Sequence, residues 1–206
     1  MILKDWYASL DIILPKSGSA AQVFYRGHSS IEIVRVMEKV LKPGDVVLDI
    51  GAHIGEYTLI GAHLVGSTGV VYAIEPQPEC IHYIRRNCEV NGLQNVRICQ
   101  LAVGDRSGSV SFRRDPRSWG GFIVTQGGNL TVQCVRLDDL VTREGLKRCA
   151  FIKVDAAGSE IAVLKGGISL LTSLNSPMVI CKLYHPQVVR ERFGYDPVET
   201  LQLLRD

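Results

Sequence analysis

The stretch VVLDIGAHIGEYT, from Val46 to Thr58, admits few folds. Its first residues suit a buried strand, its glycines at 51 and 55 suit a turn, and a helical pattern follows. A second apolar run, Val70 to Ile74, ends at Glu75, 20 residues beyond Gly55. Strand, glycine turn, helix and a second strand closed by a carboxylate make the half-unit of a nucleotide-binding α/β sheet. The backbone approaches a ligand at the glycines, and the carboxylate meets the two hydroxyls of a ribose.

The pattern repeats along the chain. Strands are predicted at 46–50, 70–75, 96–100, 150–155 and 178–184, with helices between them. A helix over 31–41 opens on Ser29-Ser30-Ile31-Glu32, which fits a capping box. Residues 158–171 are expected to form one helix, and a last one starts near 196. Segments 109–113, 121–126 and 131–136 read as short strands of an antiparallel excursion, and residues 1–28 read as irregular. Strands alternating with helices imply an α/β fold, a doubly wound and mostly parallel sheet covered on both faces. Right-handed crossovers place Asp49, Gly51, Glu75 and Asp155 along one edge.

The glycine spacing selects among ligands. Gly51 and Gly55 are spaced Gly-x-x-x-Gly, and His53 stands where a dinucleotide fingerprint carries its middle glycine. Asp49 would repel a pyrophosphate but suits a cation such as an amino group or a sulfonium. S-adenosylmethionine carries both, and its ribose suits Glu75. Asp49 capping the turn and Glu75 as a solvated strand-end charge are the plainer alternatives.

These residues resemble a class I S-adenosylmethionine-dependent methyltransferase, and more narrowly the FkbM family. The resemblance rests on DIGAHIGEYT (49–58), AIEPQP (73–78), LAVGD (101–105), VRLDDL (135–140), IKVDAAGSE (152–160) and VLKGG (163–167), in family order. It implies methyl transfer to a hydroxyl on a small molecule, glycan or lipid. It also implies that Gly51, Ala52 and Gly55 wrap the methionine and sugar, with Asp49 beneath the turn, and that Glu75 binds the ribose. Pro76 follows Glu75 in this motif, Gln100 and Ala102 lie where such folds bound the adenine, and His53 either contacts cofactor or packs in the turn. Asp155 faces the methyl group as a polar contact or base, or else caps the following helix; His185, after strand five, is an acceptor-side candidate. No metal is expected, because only one nearby carboxylate is evident.

Two positions depart from the family pattern. Ala157 stands where the family has the Glu of Asp-Val-Glu-Gly, and Lys182 stands where strand five usually carries a Glu. Both remove a carboxylate from the acceptor side, so a cofactor-binding domain of impaired activity is an alternative reading; Glu160 either substitutes in part or is a solvated helix residue. A nicotinamide-dependent oxidoreductase shares the sheet and Glu75, but not the glycine spacing or Asp49. The fold resembled continues with two more strands, so the methyltransferase domain, residues 29–206, is expected to be C-terminally incomplete. An exposed fifth strand then implies lower stability or self-association.

A net charge of +2 gives no general case for nucleic acid, although Arg113, Arg114 and Arg117 fall together. No apolar run reaches membrane-spanning length, and the N-terminus lacks a signal-peptide layout, so a cytoplasmic protein is expected. The 6 cysteines show no metal spacing and read as reduced core thiols. Trp119 sits in the excursion, placed either to stack on a sugar or to anchor the loop.

Overall fold

The computed structural model describes residues 1–16, 20–114 and 120–205. The chain opens on β1 (Ile2–Tyr7), β2 (Leu10–Ile13), α1 (Ala21–Arg26) and α2 (Ile31–Val40). Two strand–helix steps and a third strand follow: β3 (Val46–Ile50) and α3 (Glu56–Val65), β4 (Val70–Ile74) and α4 (Pro78–Val90), then β5 (Val96–Cys99). An excursion of β6 (Ala102–Gly104), β7 (Gly108–Arg114), β8 (Gly121–Val124) and β9 (Leu130–Arg136) leads into α5 (Leu137–Arg143). The chain returns through β10 (Phe151–Val154), α6 (Glu160–Lys165), α7 (Ile168–Leu171), β11 (Met178–Cys181), α8 (Pro186–Phe193) and α9 (Pro197–Leu203).

The central sheet has the order β11-β10-β3-β4-β5, and every pairing in it is parallel. Strands buried on both faces need apolar residues at successive positions. Val47, Leu48, Ile50, Phe151, Ile152 and Val154 meet that need, each at most 2% exposed. From β3 the chain winds outward to β4 and β5, then crosses back to place β10 on the other side of β3. The winding direction therefore reverses between β3 and β10, and a doubly wound sheet opens its ligand crevice beyond the carboxyl ends of strands at such a point. The excursion forms a second sheet, β6-β9-β7-β8, in which β7 pairs antiparallel with both β8 and β9.

The segment 1–28, expected to be irregular, carries β1, β2 and α1 among its described residues. β1 and β2 pair as an antiparallel hairpin, and Leu10, Ile12 and Leu14 enter one apolar cluster with Ile54, Leu59, Ile81 and Ile84. Two asparagines associated with α4 take the place of a further strand. Asn87 Oδ1 accepts the Ile13 N–H at 2.6 Å and Asn91 Oδ1 accepts that of Asp11 at 2.7 Å, while their amides donate to Ile13 O and Asp11 O at 3.2 and 2.7 Å.

Other boundaries also shift. The helix expected over 158–171 is broken into α6 and α7 at Gly166-Gly167, where a Cβ at Gly166 would fall on the Gly104 carbonyl oxygen. The strand expected over 178–184 ends at Cys181, and α8 begins at Pro186. The capping box at α2 does not form; the Ser30 hydroxyl instead donates to Glu32 Oε2 at 2.6 Å. Among the described residues no helix is long and apolar enough to cross a membrane.

Candidate active site

A cleft of about 350 Å³ opens at the carboxyl ends of β3, β4 and β10. Its floor is the turn from β3 into α3. Gly51 has φ +73° and Gly55 +91°, left-handed values that glycine adopts without strain. Gly51 is also constrained by space, since a Cβ there would collide with the Asp155 carbonyl oxygen. Gly51, Ala52 and His53 line the cleft, whereas Gly55 packs against Ile84 behind it.

Asp49 lies beneath the turn and does not open onto the cleft. It is 1% exposed, its Oδ2 accepts the Thr58 hydroxyl at 2.6 Å, and its Oδ1 lies 3.0 Å from Lys153 Nζ. The parallel register of β3 and β10 sets Lys153 directly beside Asp49. The Lys153 ammonium also donates to the Gly51 and Ile50 carbonyls at 2.7 and 3.4 Å. Burial pulls this amine down, but the carboxylates of Asp49, Asp155 and Glu75 outweigh it and hold the amine charged. The ion pair thus braces the glycine turn from below.

Glu75, at the end of β4, is 4% exposed yet reaches the cleft wall. The His53 N–H donates to its Oε2 at 2.9 Å and the Gln77 N–H to its Oε1 at 3.0 Å. Burial lifts its carboxyl above the usual range despite these hydrogen bonds. His53 itself has φ +53°, and that left-handed backbone accompanies its N–H donation to Glu75. Pro76, Gln77, Leu101, Ala102 and Val103 continue the wall; Gln100, expected beside them, is exposed and outside it.

On the β10 side, Asp155 lines the cleft with both carboxylate oxygens engaged. Lys182 Nζ donates to Oδ2 at 3.0 Å and the Tyr184 hydroxyl to Oδ1 at 3.1 Å. Burial pushes this carboxyl up, but Lys153, Lys182 and the two hydrogen bonds outweigh it and hold Asp155 below the usual carboxylate range. Asp155 does not cap the next helix. Glu160 braces that turn instead: buried at 1% exposure, its Oε1 accepts the Ala156 and Gly158 N–H groups at 2.9 and 3.0 Å. It is neither a cleft group nor a solvated one. Ala157 lines the cleft with φ +52°. The Tyr195 hydroxyl donates to Gly158 O at 2.9 Å, and a Cβ at Gly158 would strike the Phe193 ring, so the segment after β11 closes over this turn. His185 stands apart from the cleft as the N-cap of α8, accepting the Gln187 N–H at 3.3 Å.

The remaining walls were not anticipated. Phe112, Gly120, Gly121 and Ile123 come from the excursion; Gln22, Val23 and Ser29 come from the N-terminal segment. Glu56, at the start of α3, accepts the Ser29 N–H and hydroxyl at 2.8 and 2.5 Å and ties that segment to the floor. Trp119 and Arg117 lie outside the described residues. Among the described residues no group of three or more His, Cys, Asp and Glu is placed to hold a metal.

A model of the methyltransferase FkbM domain matches residues 49–206, from the floor of the cleft to the end of the chain. The chain belongs to the FkbM methyltransferase family. Its FkbM-family relatives include the hexuronic acid methyltransferase AglP of Haloferax volcanii, 26% identical over 99% of this chain and 86% of that protein. The 31-O-demethyl-FK506 methyltransferase FkbM of Streptomyces tacrolimicus is 28% identical over 61% of this chain and 60% of its own length. The 2-O-methyltransferase NoeI of Sinorhizobium fredii is 29% identical, with 70% and 66% covered. Among solved structures, methyltransferase FkbM from Methylobacillus flagellatus KT superposes with a TM-score of 0.54 at 18% identity, over 84% of this chain and 45% of that one. The precorrin-6y C5,15-methyltransferase of Geobacter metallireducens gives 0.52 at 16% identity, over 86% and 72%. Both share the class I methyltransferase sheet, the doubly wound α/β fold that the alternating pattern implied.

Proposed function

We propose that this FkbM-family chain transfers a methyl group from S-adenosylmethionine to a hydroxyl of a small molecule or glycan. The observation that carries the reading is Glu75, whose carboxylate is held at the cleft wall by the His53 and Gln77 amides, next to the close-approach backbone of Gly51 and Ala52. A carboxylate so placed accepts two vicinal hydroxyls, and the apolar edge of Leu101, Ala102 and Val103 beside it suits a flat aromatic base. When bound, S-adenosylmethionine supplies the methyl group from its sulfonium.

The protein's part is to bind, orient and exclude water, and alignment of two reactants is worth much of such a barrier. Gly51, Ala52 and His53 present backbone to the methionine and sugar portion. Asp155 stays ionised well below neutral pH, which makes it a weak base but a good acceptor for an incoming O–H. The name of one relative, a hexuronic acid methyltransferase, favours a glycan acceptor.

Calorimetric titration with S-adenosylhomocysteine tests the donor. Wild type should bind it and not NAD, and Glu75→Ala should weaken binding by about 1.5–3 kcal/mol, the worth of hydrogen bonds to a charged group. An unchanged dissociation constant would remove Glu75 from the ribose. One observation favours a second reading, a cofactor-binding domain that transfers poorly: both Asp155 oxygens are already engaged. If Lys182→Glu raises methyl transfer to a panel of glycosides far above wild type, that second reading holds.

A further inference from the structure

We infer that Lys182 recognises a carboxylate on the acceptor, so that the acceptor is an acidic sugar; this deepens, and rests on, the methyl-transfer reading above. Two lysines line the cleft, and they differ in what their ammonium groups have left to give. Lys153 is buried, its amine shared among Asp49 and the carbonyls of Gly51 and Ile50. Lys182 is 53% exposed in its side chain and spends one hydrogen bond on Asp155 Oδ2. An ammonium has three donors, so one bond to Asp155 does not exhaust it.

Each acid near that point already has partners. Asp155, the nearest carboxylate, is paired with Lys182 through Oδ2, and the Tyr184 hydroxyl takes its other oxygen. Ala157 presents a methyl group on the same wall. The other acids lining the cleft, Glu56 and Glu75, accept hydrogen bonds from Ser29 and from His53 and Gln77. Lys182 Nζ sits over the Tyr184 ring, 5.3 Å from its centroid, which fixes the amine at the cleft wall. A carboxylate entering there gains a charge-assisted hydrogen bond without displacing Asp155.

The test uses the full chain saturated with S-adenosylhomocysteine. It is titrated with methyl glycosides of glucuronic and galacturonic acid, and with methyl glucoside and galactoside as neutral partners. At least one acid should bind about tenfold more tightly than its neutral partner, with the preference shrinking as salt is added. Lys182→Gln should abolish the preference and Lys182→Arg should keep it. The inference is overturned if wild type shows no preference for an acid, or if the preference survives Lys182→Gln. It is also overturned if Lys182→Gln weakens acid and neutral sugars alike, which would mean that the lysine only holds Asp155. S-adenosylhomocysteine binding is measured first in each sample. Its absence in wild type sinks the donor reading and this inference together; its presence with no acid preference sinks this inference alone.

Discussion

At the scale of single residues, the site is built from charges that have been moved away from their ordinary behaviour. Glu160 is the clearest case, because it touches no cleft surface and serves the turn alone. Burial raises its carboxyl, and the neighbouring Asp155 charge adds to that, while amide hydrogen bonds oppose it. A carboxyl raised on folding supports the folded state fully below its unfolded value, and that support fades as pH climbs through the folded value. Glutamine accepts the same two N–H groups and has no charge to bury. Glu160→Gln should therefore raise the melting temperature relative to wild type more at pH 8 than at pH 5. Equal differences at the two pH values would show that Glu160 ionises freely. Residue-level legibility was uneven. Gly51, His53 and Glu75 could be named from the glycine motif, and Ala52, Pro76, Ala102 and Asp155 from the family resemblance; all line the cleft. Glu160 could not be assigned, because an acid early in a helix reads alike whether it faces solvent or bends back to its own turn.

At the scale of elements, β3 and β10 are joined by more than their ladder. Lys153 and Asp49 face each other in register within the most buried part of the sheet. Removing one member strands the other in an apolar setting, which typically costs 3–5 kcal/mol. Lys153→Met should destabilise by about that much, and Lys153→Met with Asp49→Leu by clearly less, as read from denaturant melts. Additive costs would mean that the two are not coupled. The signal was present in the sequence as a lysine inside an apolar strand and an aspartate inside another. It was passed over because strand-end acids draw attention toward the ligand, whereas this one turns inward. Strand and helix existence was legible wherever the apolar period was long, as in β3, β4, α4 and β9. The hairpin β1–β2 and helix α8 were missed. β2 is four residues long and finds two of its hydrogen-bond partners in asparagine side chains. Helix α8 is marked mainly by a proline at its start.

At the scale of the whole molecule, the N-terminal segment and the doubly wound sheet share one core. Leu14 is 1% exposed and packs with residues of α3 and α4. Leu14→Ala should cost roughly 2–5 kcal/mol in global stability, as for other large-to-small core changes. A cost under 1 kcal/mol, measured by urea unfolding, would mean that the hairpin unfolds on its own. Asn87 ties the same hairpin to the cleft floor, since its amide donates to Ile54 O at 2.9 Å as well as to Ile13 O.

Gln22, Val23 and Ser29 lie upstream of residue 49, where the FkbM domain match begins, yet they face the same cavity as Gly51 and Glu75. The stretch matched by the FkbM domain therefore forms, by itself, a bowl without one of its sides. Proteins alike over the catalytic stretch can diverge in what they accept by exchanging that upstream panel alone. Transplanting residues 1–30 between two such proteins, with S-adenosylhomocysteine affinity read alongside, would test whether that panel sets acceptor preference.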